Sequence, residues 1–400
     1  LGWSIFGVND WWPRLVAPFF GLVNLFLVNR LAQDLWPNKI ETCKIAPLIL
    51  LSCLFWTLFT TLTMFDMLLA FCALISMIGI IRAWENNNPS SFSLLAIGIG
   101  MGLLAKGPAI LLSTLPVGLL APLWALKTNS NRNLKNFSSN NGSISSIKSW
   151  SQGWKFWYLC IFISSMVGIL IALTWAIPAA FYGGEEYRNS IFWGQSAGRM
   201  LNSFAHSRPW WWFLAVLPGL LLPWTIWPAI WKAIFKLREL RHDVGILFCL
   251  FWFLPALLIF SIISGKQLHY LLPVFPALAL ISARLIVDYF EICSNQKAYF
   301  EFSLFLPATF FFITGFGFGC APLITQVFNL KPTVMEFDFI WGLVFALLAV
   351  FIFQQGQTLS SLMSRIICMV VLSLFSIFTV HLGLKTFLDE RFDMENFSRQ

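Results

Sequence analysis

The chain has 400 residues, of which 58% are hydrophobic and 11% charged, with a formal net charge of +8 and a mean hydropathy of +0.75. Soluble domains carry roughly 25% charge, so this composition excludes a soluble globular domain and describes an all-α, polytopic integral membrane protein. The positive balance then reads as loop bias toward one side of a membrane, and nucleic acid is not an expected partner.

In chain order, about 20 residues are needed to cross roughly 30 Å of hydrocarbon. Twelve segments qualify: 11–29, 45–62, 66–82, 92–105, 108–126, 156–178, 211–231, 244–263, 271–287, 303–322, 339–353 and 365–383. The chain opens at Leu1 and runs directly into an apolar stretch, with no charged n-region or cleavage pattern. The expectation is a sequence truncated at its N-terminus. The 42 Phe and 20 Trp suit lipid-facing surface and interfacial belts, as at Trp11 and Trp12 and at Trp210, Trp211 and Trp212.

Alternate loops differ in charge. The set at 30–44, 82–91, 127–155, 232–243, 284–301 and 354–365 holds sixteen of the 26 Lys and Arg residues, which assigns it to the cytoplasm. The Asn/Ser-rich stretch 129–153 reads as a flexible linker. On the opposite face, 183–209 interleaves aromatic residues with charge and suits short interfacial helices. The polar tail after the last span reads as the opening of an outer segment, so the expected division is a membrane domain over 1–383 and a further piece over 384–400. The eight cysteines are scattered, with no CxxC, and suggest neither a disulfide framework nor a metal site.

Threading the spans collects Asp66, Lys106, Arg199, His206, Lys266, His269 and Tyr270 at one outer face. Lys106 stands in LLAKGPAI, between two apolar runs. A charge at mid-bilayer depth costs about 3 kcal/mol or more, so this lysine belongs at an edge, in a wet cavity or against a partner. Lys, Arg, Tyr and His beneath an aromatic loop suit an anionic head group whose tail stays in lipid. The same donors would stabilise a departing phosphate. Plainer readings stand beside this one. Lys106 could snorkel from a helix end, Asp66 could only cap the helix beginning at Met67, Arg199 and His206 could form a solvated loop face, and Lys266, His269 and Tyr270 could be an interfacial anchor.

The combined pattern resembles a known family. WSIFGVNDWWPRLV (3–16), TLTMFDMLLAF (61–71), LLAKGP (103–108), SIFWGQSAGRMLNSFAHSRPWWWF (190–213) with PGLLLPW (218–224), and GKQLHYLLPVFPALAL (265–280) follow one another in order. Together they are similar to the bacterial polyprenyl-phosphate-dependent GT-C glycosyltransferases, the group that includes aminoarabinose lipid A transferases and protein O-mannosyltransferases. The resemblance implies a helical bundle in the bacterial inner membrane with its active site facing the periplasm. It also implies an undecaprenyl-phosphate-linked sugar as donor, and lipid A or another envelope glycan or protein as acceptor. By motif matching, Lys106, Arg199 and Tyr270 are implied to bind the lipid phosphate, with His206, Lys266 and His269 as further candidates. Asp66 matches an acidic position in a catalytic or supporting role.

The family's principal catalytic Asp and a Lys-Pro-Pro element, placed by the resemblance in a first periplasmic loop, would precede Leu1. No metal or cofactor is implied. A protein O-mannosyltransferase-like enzyme is the alternative within the class. A lipid or solute transporter is the alternative outside it, although such proteins often show repeated halves and no internal repeat is visible here.

Overall fold

The computed structural model describes Ile5, Gly7 and residues 11–125, 150–189, 208–235, 238–293, 303–327, 339–358 and 361–383. Arg199, His206, the stretch 129–149 of the expected linker and the tail 384–400 lie outside the described residues. Every described element is helical. Among the described residues eight helices are long and apolar enough to cross a membrane, or nine if the broken pair Ile40–Ser52 and Leu54–Thr61 forms one span.

Besides that pair, two of the twelve expected spans are broken in the described helices, and the reason is local chemistry. Segment 108–126 divides into two short helices, Ala109–Leu119 and Ala121–Ala125. Pro122 has no backbone N–H to donate and its ring does not fit against the preceding turn, which interrupts the ladder there. Segment 211–231 becomes Trp212–Leu220, a 3-10 turn at Trp224–Ile226 and Pro228–Phe235, with Pro223 between the first two pieces and Pro228 opening the last. Residues 150–153 also depart from the linker reading. Trp150 is only 6% exposed and packs edge-on against Trp157, with ring centroids 5.0 Å apart.

The described chain forms two compact units. The first comprises 1–50, 59–218 and 235–285. It contains α1 (Trp11–Leu35), most of α2 (Ile40–Ser52), α4 (Asp66–Asn86), α5 (Phe92–Lys106), α6 (Ala109–Leu119), α7 (Ala121–Ala125), α8 (Trp154–Tyr182) and α9 (Gly184–Asn189). Most of α10 (Trp212–Leu220), α12 (Val244–Ile262) and the first part of α13 (Phe275–Ile292) complete it.

Helix α4 is its centre, with Met67, Ala70, Cys72, Ala73, Leu74, Met77 and Ile80 fully buried. Lipid is as apolar as leucine, so close backbone approach must hold such helices together. Gly98 of α5 supplies one such approach: a Cβ there would stand 2.6 Å from the Cys72 carbonyl oxygen and 2.2 Å from Ser76 Oγ.

At the Asn86 end of α4, polar groups tie the unit together. Arg82 Nε donates to Asp34 Oδ2 at 2.8 Å. Asp243 caps α12 by accepting from the Ile246 N–H at 3.1 Å. The same carboxylate accepts from Trp36 Nε1 at 2.8 Å and from Arg284 Nε at 3.3 Å.

The second unit comprises 51–58, 219–234 and 286–400. It holds most of α3 (Leu54–Thr61) and of α11 (Pro228–Phe235), together with α14 (Phe305–Val327), α15 (Phe339–Thr358) and α16 (Leu362–Gly383). Its core is Phe311, Phe345, Ala349, Ile352 and Leu372, with Phe310, Leu348 and Phe375 packed against it. The chain break before α3 is satisfied locally. Leu54 N–H donates to the Leu222 carbonyl at 2.9 Å, and the Cys53 thiol donates to that of Leu220 at 3.0 Å, as an interrupted helix in a bilayer requires.

Candidate functional site

Asp66 and Lys106 meet because α4 and α5 are neighbours joined by a tight turn. One helix begins at Asp66 and the other ends at Lys106. A turn at Asn87, with φ +52°, reverses the chain between them. Residues 40 apart in sequence thus return to the same level, and Lys106 Nζ donates to Asp66 Oδ1 at 2.5 Å.

Each partner sits where its charge is favoured. Asp66 occupies the first turn of α4 and Lys106 the last turn of α5, matching anion to the positive and cation to the negative end of a helix dipole. Helix α5 stops there because Gly107 takes φ +64°, a conformation costly for residues with a Cβ. The Gly107 N–H closes the end on the Leu103 carbonyl at 2.9 Å.

This geometry rules out two plainer readings. Asp66 does not cap a helix beginning at Met67, because Phe65 holds the N-cap position and Asp66 is already helical. Lys106 does not merely snorkel, since its ammonium is spent on a carboxylate that is 2% exposed. The lysine side chain itself is 28% exposed, so it is the open member of the pair. Among the described residues Asp66 Oδ2 is buried and has no hydrogen-bond partner, which leaves the carboxylate half satisfied by them.

Tyr270 and His269 stand on a 3-10 segment, Leu268–Val274. Lys106 Nζ lies 5.9 Å from the centroid of the Tyr270 ring, within range of a cation–π attraction. The His269 ring stands edge-on to Tyr270 at 5.0 Å and tilted against Phe59 at 6.0 Å. Phe260 of α12 backs Tyr270 at 6.0 Å.

Lys266 is placed differently from the rest. It is 4% exposed, and its ammonium donates to two backbone carbonyls, Ile263 at 2.6 Å and Arg208 at 2.9 Å. Burial lowers its pKa from the ordinary lysine value.

Of seven sequence candidates, Asp66, Lys106, His269 and Tyr270 come together, Lys266 stands three residues before His269 with its donors on carbonyls, and Arg199 and His206 lie outside the described residues. Among the described residues no group of three His, Cys, Asp or Glu could hold a metal ion. Sequence reading missed Asn24, a fully buried amide in α1 that donates to the Met67 carbonyl at 3.0 Å beside Asp66. The signal was one amide within the apolar span 11–29, whose burial requires a partner. Phe59, the wall behind His269, carries no signal that distinguishes it from the other phenylalanines.

A family model described as dolichyl-phosphate-mannose-protein mannosyltransferase matches residues 1–138. The undecaprenyl phosphate-α-4-amino-4-deoxy-L-arabinose arabinosyl transferase 2 of Pseudomonas fluorescens is 27% identical over 297 residues, covering 72% of this chain and 48% of that protein. The transferase of the same description, 2, from Proteus mirabilis is 24% identical over 358 residues, covering 85% and 58%. The chain therefore spans about half the length of the curated relatives it matches. The crystal structure of ArnT from Cupriavidus metallidurans bound to undecaprenyl phosphate superposes with a TM-score of 0.69 at 18% identity, over 96% of this chain and 65% of that one. The fold is that of the GT-C membrane transferases.

Proposed function

We propose that this chain, a relative of the polyprenyl-phosphate-dependent GT-C glycosyltransferases, moves a sugar from an undecaprenyl-phosphate-linked donor to an acceptor hydroxyl at the periplasmic face of the bacterial inner membrane, with lipid A as the proposed acceptor. The observation that carries this reading is the convergence of Lys106, Asp66 and Tyr270 at one end of α4 and α5, with the lysine as the open member. A cation held by a buried carboxylate and an aromatic face suits a lipid-borne phosphate, which an exposed lysine on a flexible stem would hold less well.

In the proposed reaction the acceptor oxygen attacks the anomeric carbon as the bond from that carbon to the phosphate oxygen breaks. The hydroxyl proton goes to a base and the bonding electrons leave with the lipid phosphate. Lys106 neutralises the charge that grows on that phosphate. One preorganised donor of this kind contributes about 3–4 kcal/mol to the transition state. Asp66 holds the ammonium in place, Tyr270 flanks it, and Arg199 is proposed from the motif match as a second phosphate ligand. His269 and His206 are proposed to line the same site.

Replacing Lys106 with Ala in the full-length protein should reduce sugar transfer by roughly 10²–10³-fold, measured with membranes and a labelled undecaprenyl-phosphate sugar. Transfer within threefold of the parent would remove the proposed role. A protein acceptor is the second reading, favoured by the family match at 1–138. Mass spectrometry of lipid A and of secreted proteins, with and without the gene, separates the two.

A further inference from the structure

We infer that Lys266 is a positioning residue, a buried clasp that fixes the turn between α12 and the 3-10 segment and thereby sets Tyr270 beside Lys106. The inference rests on the reading above for what Tyr270 does, but the clasp itself is independent of it. The last carbonyls of a helix lack intrahelical partners, and α12 ends with Ile263 in an extended conformation. Lys266 folds back to donate to the Ile263 carbonyl at 2.6 Å, a cation at the negative end of a helix dipole.

Its second bond reaches across the fold to the Arg208 carbonyl at 2.9 Å. Beside it, the Arg208 N–H donates to the Ser264 carbonyl at 3.3 Å. Among the described residues, the two segments are therefore stitched by this backbone bond and the ammonium. Only three residues separate Lys266 from Tyr270. Gln267 is extended, and the 3-10 segment starts at Leu268, so little slack lies between clasp and ring.

The choice of lysine is informative. Among the described residues Lys266 forms no ion pair, and it is 4% exposed. A buried cation without a counter-charge is costly unless dipoles replace its water. Here those dipoles are carbonyls from two separate segments, an arrangement that joins main chain to main chain. Two of the three N–H donors of the ammonium are taken by these carbonyls, which fixes its place in the turn.

Three variants of the full-length protein in nanodiscs separate these roles. Lys266→Met keeps the apolar stem and removes the donors. Lys266→Gln keeps a neutral N–H donor, and Lys266→Arg keeps a cation. Hydrogen–deuterium exchange of peptides covering 208–212 and 263–272 reads the clasp, and titration with undecaprenyl phosphate reads the site.

The expected result is at least tenfold faster exchange of both peptides in Lys266→Met, with other peptides unchanged, and about tenfold weaker undecaprenyl phosphate binding. Both should return to within threefold of the parent in Lys266→Arg and in part in Lys266→Gln. Unchanged exchange in Lys266→Met overturns the clasp. Binding that is lost in Lys266→Gln with exchange intact, and kept in Lys266→Arg, also overturns it in favour of a direct phosphate ligand. If Lys266→Met does not fold, the contrast between Gln and Arg decides. If the parent binds no undecaprenyl phosphate, the functional reading fails while exchange still judges the clasp.

Discussion

Helix α4 carries a carboxylate contact at each end, and the two are built to different standards. Arg82, near the Asn86 end, pairs with Asp34, and close by in the same unit Asp243 is bonded on both oxygens, by a backbone N–H, an indole and a guanidinium. About 24 Å away, at 1.5 Å per residue from Arg82 to Asp66, the other carboxylate meets a single ammonium through one oxygen and leaves the second buried without a partner. Fully satisfied networks rigidify a fold, whereas a buried orphan is a cost that structure alone does not explain. The contrast separates a cluster whose carboxylate is bonded on both oxygens from one with bonding capacity left over, and the second is the one proposed to take a ligand.

The sharpest way to break that contrast is a double-mutant cycle at the half-satisfied end. Lys106→Met leaves Asp66 buried and unpaired, and Asp66→Asn leaves the ammonium with a neutral amide oxygen in place of its counter-charge. Removing one partner of a buried pair costs about 3–5 kcal/mol, so each single variant should lose thermal stability. The double variant should recover most of it, because replacing both charges is close to neutral. Transfer should not recover. A double variant that regains both stability and transfer would reduce the pair to a structural feature.

Much of this end was legible in sequence, and the reason is energetic. An ionisable residue among apolar neighbours is conspicuous because lipid does not tolerate it, and that alone marks Lys106 in LLAKGPAI and Asp66 in TLTMFDMLLAF. What spacing could not give was the pairing itself, since α4 and α5 contribute one residue each and no periodicity links positions 66 and 106. Lys266 shows a different limit. Its residue type and neighbourhood match those of a phosphate ligand, while its donors are directed at the Ile263 and Arg208 carbonyls, and a backbone acceptor leaves no mark in a sequence.

The fold was legible in class, and less so in where its helices break. Runs of apolar residues at 211–231 and 108–126 are long enough to span, yet prolines within them divide the helices. A hydropathy window sums side chains and does not register a missing N–H.

At the satisfied end the expectation reverses. Asp243→Ala removes the cap of α12, worth about 1 kcal/mol, and leaves Trp36 Nε1 and the 8% exposed Arg284 without this acceptor, at roughly 1–3 kcal/mol for a buried group. The combined loss should be about 3 kcal/mol, read as a lower unfolding midpoint in detergent. Transfer per folded molecule should stay within threefold of the parent. A collapse of transfer with stability unchanged would place this cluster in the chemistry and dissolve the comparison.

The smallest effect sharpens the comparison from the side of the backbone. Gly107 ends α5 at φ +64°, and a Cβ there would meet nothing within 4 Å. Any penalty for Gly107→Ala is therefore conformational and not steric, about 1–3 kcal/mol for an alanine held in this sparsely populated backbone region. The strained residue adjoins Lys106, so relaxing it toward negative φ would re-aim the helix end and with it the ammonium. The expected outcome is a modest loss of stability together with a three- to tenfold fall in transfer that Lys106→Met does not compound, because both changes act through one ammonium. Additive losses in the double variant would instead show that the turn and the lysine serve the site separately.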